Sequence, residues 1–226
     1  TFNQADVVFC YTDVDKQRVR ELGVTSRIEV VSNGIDTERF TPEGPESDLI
    51  DAEGPVVLFV GRFAEGKRPW LAVEAFAEVL AERPNAELYL CGDGALREDL
   101  ETQVAELGIG QAVTFLGHVP YDEMPKVYRS GDVLMLPSRA EGVPRTVLEA
   151  MASGDLVVSS DLPQVRELIS NCGYTVGTSD YEIFAERLMA CFERTHSDGE
   201  CGSFIEDHSW TDTVRHTTRK LKEISN

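Results

Sequence analysis

Apolar and polar residues fall in blocks along most of this chain. Val56–Val60 is an unbroken apolar run closed by Gly61, the pattern of a strand covered on both faces. Residues 68–81 carry apolar side chains at 70, 71, 73, 76, 79 and 80, with Pro69 at the start and Pro84 past the end. That stripe predicts a helix. The alternation continues with strands at Glu87–Cys91, 113–116, Val133–Leu136, 156–159 and 174–176. Between them the pattern predicts helices at 95–107, 122–128, Arg145–Ala152, 164–169 and 181–194. Ser179 and Glu182 have the spacing of a capping box for the last of these. Ahead of Val56 the pattern gives a strand at Val7–Cys10, a polar helix at 16–22, a strand at 27–31 and a turn at 32–36. Trp210–Ile224 reads as a terminal amphipathic helix, with Trp210 as anchor and Val214, Leu221 and Ile224 on its buried side.

Strands separated by helices require crossover connections, hence a parallel sheet with helices on both faces. The expected fold class is α/β, a doubly wound Rossmann-like parallel sheet. Ligands in that architecture bind beyond the carboxyl ends of the strands. Residues 41–55 hold three Pro, two Gly and five acids and read as an exposed linker.

The chain has 226 residues, 40 Asp+Glu and 21 Lys+Arg, for a formal net charge of -19. So anionic a surface repels nucleic acid and anionic lipid, which argues against a nucleic-acid partner. Only five of the cations are Lys. An acidic, Lys-poor surface fits a salt-rich, halophilic cytoplasm, where salt screens self-repulsion. No apolar run is long enough to span a bilayer, and the first residues lack the marks of a signal peptide. Five cysteines without a C-x-x-C predict neither a disulfide framework nor a zinc site, and a reducing compartment. Cys10 and Cys91 read as small core residues. His196, His208 and His216 share no metal-ligand spacing, and His118 reads as a turn residue.

Two loops could carry chemistry. The first, residues 61–68, reads Gly-Arg-Phe-Ala-Glu-Gly-Lys-Arg. It nearly matches a P-loop, but Arg68 stands where the Mg²⁺-binding hydroxyl belongs. Arg62, Lys67 and Arg68 gather positive charge there, Gly61 and Gly66 would let a ligand approach the backbone, and a helix start follows. A diphosphate suits this loop, with Arg62 forking onto two oxygens and Lys67 acting as a point charge; a solvated loop is the plain alternative. The second loop leads from Pro137 into the helix at Arg145 and places Glu141 and Glu149 eight residues apart. Glu149, with Arg145 four residues before it, could accept the hydroxyls of a ribose or form a simple surface pair.

The Glu141/Glu149 spacing resembles the E-x7-E signature of the retaining glycosyltransferases of group 1, family 4, with the GT-B fold. Val30-Val31-Ser32-Asn33-Gly34-Ile35-Asp36 through Phe40 resembles the family's inter-domain stretch, and Gly61-Arg62-Phe63 with Gly66-Lys67 its diphosphate loop. Gly92-Asp93-Gly94, residues 113–117 and 148–154, and Glu167 resemble later blocks.

The resemblance implies the C-terminal, donor-binding half of a GT-B glycosyltransferase that transfers a hexosyl group with retention. Residues 1–45 would be the tail of an N-terminal domain and the linker, 46–200 the nucleotide-sugar domain, and 201–226 a helix packing back. Arg62 and Lys67 would hold the diphosphate of a UDP- or GDP-linked donor. Glu141 would meet the sugar, Glu149 the ribose, and the backbone at Val119 the base. Gly61, Gly142, Val143, and the amides of Thr146 and Val147 would complete the site.

With two cations in place no cofactor or metal is required; Asp13-Val14-Asp15 reads as a helix start. Acceptor groups, glycan or lipid-linked, would lie in a missing N-terminal domain, leaving this half inactive alone, in the cytoplasm or at the inner membrane face. A non-catalytic nucleotide-sugar-binding module and a P-loop-like hydrolase are the alternatives. Two positions depart from the family pattern: Pro144 replaces a Gly and can donate no N–H, and Asp155 replaces a small residue with an effect expected on the turn alone.

Overall fold

The structure, a computed structural model, describes residues 2–31, 33–169, 171–194 and 208–224, without the side chains of Glu167 and Ile224. Ser32, His196, Cys201 and the side chains of Glu167 and Ile224 therefore lie outside the described residues.

A leading unit comprises β1 (Val7–Cys10), α1 (Asp13–Glu21) and β2 (Arg27–Val30), with the two strands parallel. Val8, Cys10, Val24 and Ile28 form its small core. Thr12 caps α1 by accepting from the Asp15 amide at 3.0 Å, so Asp13 and Asp15 do serve as a helix start.

The main sheet contains β3 (Val56–Val60), β4 (Glu87–Cys91), β5 (Val113–Gly117), β6 (Val133–Leu136), β7 (Leu156–Ser160) and β8 (Gly173–Val176). All pairings are parallel, in the order β5-β4-β3-β6-β7-β8. Every strand predicted from an apolar run is present, with ends shifted by a residue or less. The intervening helices are α2 (Pro69–Glu82), α3 (Arg97–Glu106), α4 (Met124–Arg129), α5 (Arg145–Ala152), α6 (Pro163–Leu168) and α7 (Tyr181–Phe192).

Each face of the sheet has its own core. Val57, Phe59, Leu88 and Leu90 meet Val73, Phe76, Phe184 and Leu188 of α2 and α7 on one side. Leu58, Leu134 and Val157 meet Val127, Val147, Leu148 and Val165 of α4, α5 and α6 on the other. Fully burying a side chain such as Phe59, Phe76 or Phe184 contributes about 1.5–3 kcal/mol. Strands buried on both faces need apolar residues at successive positions, which is why these read as runs.

The terminal helix α8 (Trp210–Ile224) joins the leading unit to the rest. Ser209 bridges to Ile35, and Lys220 and Glu223 pair with Glu29 and Arg27 at 3.0 Å each. Gly34 permits the approach: a Cβ there would lie 2.8 Å from the Thr213 hydroxyl. Trp210, Val214 and Leu221 are exposed. This corrects the assignment of an apolar buried side, because α8 is held by bridges and ion pairs.

Three other local expectations are corrected. Asp180, not Ser179, caps α7 through the Glu182 amide, because the Ser179 hydroxyl is taken by Arg68. Cys172 is disulfide-bonded, whereas Cys10, Cys91 and Cys191 are free and buried; the lack of a C-x-x-C does not exclude a disulfide. Asp155 is not a mere turn residue. It is 1% exposed and neither carboxyl oxygen has a partner. Burial, and then the charge of Asp132, push its pKa well above the carboxylate range.

Candidate functional site

Strand order reverses beside β3, whose neighbours are β4 on one side and β6 on the other. The chain steps outward to β5, then returns to β6 and steps the other way. A crevice opens at such a switch point. The loop after β3 and the loop after β6 face it, and these are the two loops selected from the sequence.

The first loop is fastened from below. Gly61 donates to Cys91 O and Phe63 to Asp93 O, both at 2.9 Å. Gly92 allows this contact, since a Cβ on it would sit 1.9 Å from Gly61 O. Arg62 is exposed on this platform, and none of the ion pairs among the described residues includes it. No contact within the fold requires Gly at 61 or 66, as a Cβ at Gly66 would meet nothing within 4 Å and one at Gly61 only ordinary contacts.

The loop does not form a phosphate cradle of the P-loop kind. The Ala64 amide donates to Arg62 O, and those of Lys67 and Arg68 to Ala64 O, so they point into the turn. Arg68 is also not a phosphate cation in this loop: its guanidinium is buried against the ends of β6 and β7.

The two loops meet directly. Lys67 Nζ donates to Glu141 Oε1 at 2.5 Å, and the Arg139 amide donates to Gly66 O at 2.9 Å. In sequence Lys67 and Glu141 have separate roles and no signal of contact; in the fold they pair. An ammonium has three donors, so two remain on Lys67.

Glu149 sits in the first turns of α5 and is 5% exposed. Its Oε1 accepts from Arg145 at 3.1 Å and from the Tyr121 hydroxyl at 3.2 Å; its Oε2 accepts from the Tyr128 hydroxyl at 3.3 Å. Burial raises its pKa, and Arg145 and the two hydroxyls oppose that shift. The alternative of a surface Arg145–Glu149 pair is thus corrected: the carboxylate is buried. Phe40 packs against both tyrosines, with ring centroids 5.6 and 6.0 Å away. The tyrosines carry no periodic signal that marks them from sequence.

Of the remaining predicted residues, Val119 lines a cavity of about 330 Å³ at the ends of β3, β4 and β5, with Gly61, Arg62, Gly92, His118 and Met124. Gly142 is exposed and Val143 packs against the α5 core. Thr146 is partly buried at the helix start. The Val147 amide is not free for a ligand, as it donates to Pro144 O at 3.1 Å. Pro144 is itself the N-cap, without a side-chain cap bond. No group of three or more His, Cys, Asp or Glu side chains that could hold a metal occurs among the described residues. No helix among them is long and apolar enough to cross a membrane.

This strand order and the paired loops at the switch point define the fold of the C-terminal domain of GT-B glycosyltransferases. The model of the family "Glycosyl transferases group 1" matches residues 41–207, and the chain belongs to that family. A 2-deoxystreptamine glucosyltransferase from Streptomyces kanamyceticus is 35% identical over 62% of this chain and 38% of its own length. A D-inositol 3-phosphate glycosyltransferase from Corynebacterium urealyticum is 29% identical over 98% of this chain and 57% of its own. The structure of Anabaena Alr3699/HepE in complex with UDP and glucose matches with a TM-score of 0.81 at 20% identity, covering 99% of this chain and 64% of that one. The chain thus spans about 38% to 57% of the length of these curated relatives.

Proposed function

We propose that this chain binds the donor of a retaining, metal-independent glycosyltransferase, which moves a hexosyl group from a nucleoside diphosphate sugar to an acceptor. The observation that carries the reading is the convergence of Arg62 and the Lys67–Glu141 pair on the crevice beside β3. The related structure bound to UDP and glucose supports a donor of that type.

The base enters the cavity lined by Val119 and Met124. Arg62 forks onto the diphosphate, and the two spare donors of Lys67 reach it from the other side. Glu141 orients Lys67 through Oε1 and offers Oε2 to the sugar. Glu149 has about four lone-pair positions; three are taken, so one ribose hydroxyl fits without displacing a partner. As the sugar–phosphate bond breaks, charge grows on the distal phosphate. Arg62 and Lys67 are placed where it grows, so they stabilise the transition state more than the ground state. Two cations do this without a metal. Transfer to the acceptor is a proposal for an enzyme with both halves, and this chain alone binds donor without turnover.

Calorimetric titration with UDP, GDP and ADP tests the reading. One nucleotide should bind with Mg²⁺ chelated, and Arg62→Ala or Lys67→Ala should weaken it at least tenfold, about 1.4 kcal/mol. Strict dependence on Mg²⁺, or affinity indifferent to both substitutions, would refute it.

A further inference from the structure

A second polar cavity, of about 240 Å³, lies at the carboxyl ends of β6, β7 and β8. Arg68, Ser138, Arg139, Ser160, Thr178 and Ser179 contribute to its lining. Arg68 is the only non-glycine residue with positive φ among the described residues, at +50°. That conformation is cheapest for glycine, and an L-residue persists in it where its surroundings over-determine it.

The Arg68 side chain shows what holds it. The residue is 8% exposed. Nε donates to Pro137 O at 2.5 Å, Nη1 to Ser179 Oγ at 2.6 Å, and Nη2 to Ser138 O at 3.3 Å and Ser160 Oγ at 2.7 Å. All four partners are neutral, and none of the ion pairs among the described residues includes Arg68. A guanidinium has five N–H donors, so one is unspent. Burial, with Arg139 nearby, lowers the Arg68 pKa, which marks a cation without a counter-charge. The Ser138 hydroxyl is fully buried and has no partner. Asp161, a carboxylate in the lining, is gripped by both arms of Arg166 at 2.7 and 2.6 Å. In a chain of net charge -19, an uncompensated buried arginine beside a second, exposed arginine and an unpaired hydroxyl is a local surplus of donors and positive charge.

We propose that this cavity binds the phosphate group of a small phosphorylated polyol, apart from the crevice on which Arg62 and Lys67 converge. Arg139, the spare N–H of Arg68 and the Ser138 hydroxyl receive the phosphate oxygens. The hydroxyls of Thr178 and Ser179 face the polyol. The site needs no nucleotide, so it does not depend on the donor reading.

Calorimetric titration of the 226-residue chain with inorganic phosphate and with glycerol 3-phosphate, each with and without saturating UDP, tests it. Glycerol 3-phosphate should bind one per chain, more tightly than inorganic phosphate, and UDP should not displace it. Arg139→Ala and Ser138→Ala should each weaken it at least tenfold and leave UDP affinity unchanged. Arg68→Gly, which removes the cation and relieves the backbone, should abolish it while circular dichroism shows a folded chain. Displacement by UDP would put the phosphate in the diphosphate loop and overturn the proposal. So would unchanged affinity in the Arg139 and Ser138 variants, or no binding of glycerol 3-phosphate. Should UDP fail to bind while glycerol 3-phosphate behaves as described, the donor reading falls and this one stands.

Discussion

Glu141 and Glu149 are separated by one loop and about one helical turn, yet they are held in different ways. Glu141 lies at the crevice, with a single ion pair to the mobile-stemmed Lys67. Glu149 is walled in by α4 and α5 and bound by two tyrosine hydroxyls and Arg145. The difference is one of partners rather than of solvation, since the two side chains are 10% and 6% exposed. A carboxylate held by one flexible lysine can turn an oxygen to a ligand without stranding other groups. One bound by three groups is costly to leave without its partners, so it holds a fixed geometry. The pair combines an adaptable group with an anchored one.

Three substitutions test that contrast. The largest effect is expected from Glu149→Ala. It strands the buried Tyr128 hydroxyl and opens a cavity, and should cost about 2–4 kcal/mol in urea unfolding. A cost near that of a surface pair would show that Glu149 is not anchored.

The next largest comes from Asp155, the buried carboxyl with no partners at all. Its folded-state pKa is raised, so the native state holds the proton more tightly than the unfolded chain does. Its contribution to stability is therefore present in acid and lost as pH rises through the folded value. Above the ordinary carboxyl range, wild type should lose stability relative to Asp155→Asn by up to about 1.4 kcal/mol per pH unit. Urea midpoints from pH 5 to 8 read this directly, and parallel curves for the two proteins would contradict it.

The smallest effect on folding is expected from Glu141→Gln, about 1 kcal/mol, because the amide oxygen still accepts from Lys67. The same variant should bind a nucleotide-sugar several-fold more weakly while binding the bare nucleotide nearly as before. Equal losses for both ligands would move Glu141 from the sugar to the diphosphate.

The sheet was legible because burial on both faces forces unbroken apolar runs, as in Val56–Val60 and Val133–Leu136. The helices were legible from their stripes and from Pro69 and Pro84. Position after a strand is what singles out Arg62, Lys67 and Glu141 as candidates. What sequence left hidden depends on contacts between distant segments. Arg68 reads as a third cation of the diphosphate loop because its neighbours are cations; only the fold shows carbonyl and hydroxyl groups from three strands' ends enclosing it. Ser179 read as a cap for the same reason, as its competing partner is far away in the chain. Tyr121 and Tyr128 have no pattern until α4 packs on α5. Asp155 shows its cost only once the turn is seen to be closed to water.

The hydrogen bond from the Arg139 amide to Gly66 O joins two loops from opposite halves of the sheet. It fixes the lip of the crevice during folding, so less conformational freedom is left to lose when a ligand arrives. Affinity at that lip then reflects a preorganised mouth as much as the charges set around it.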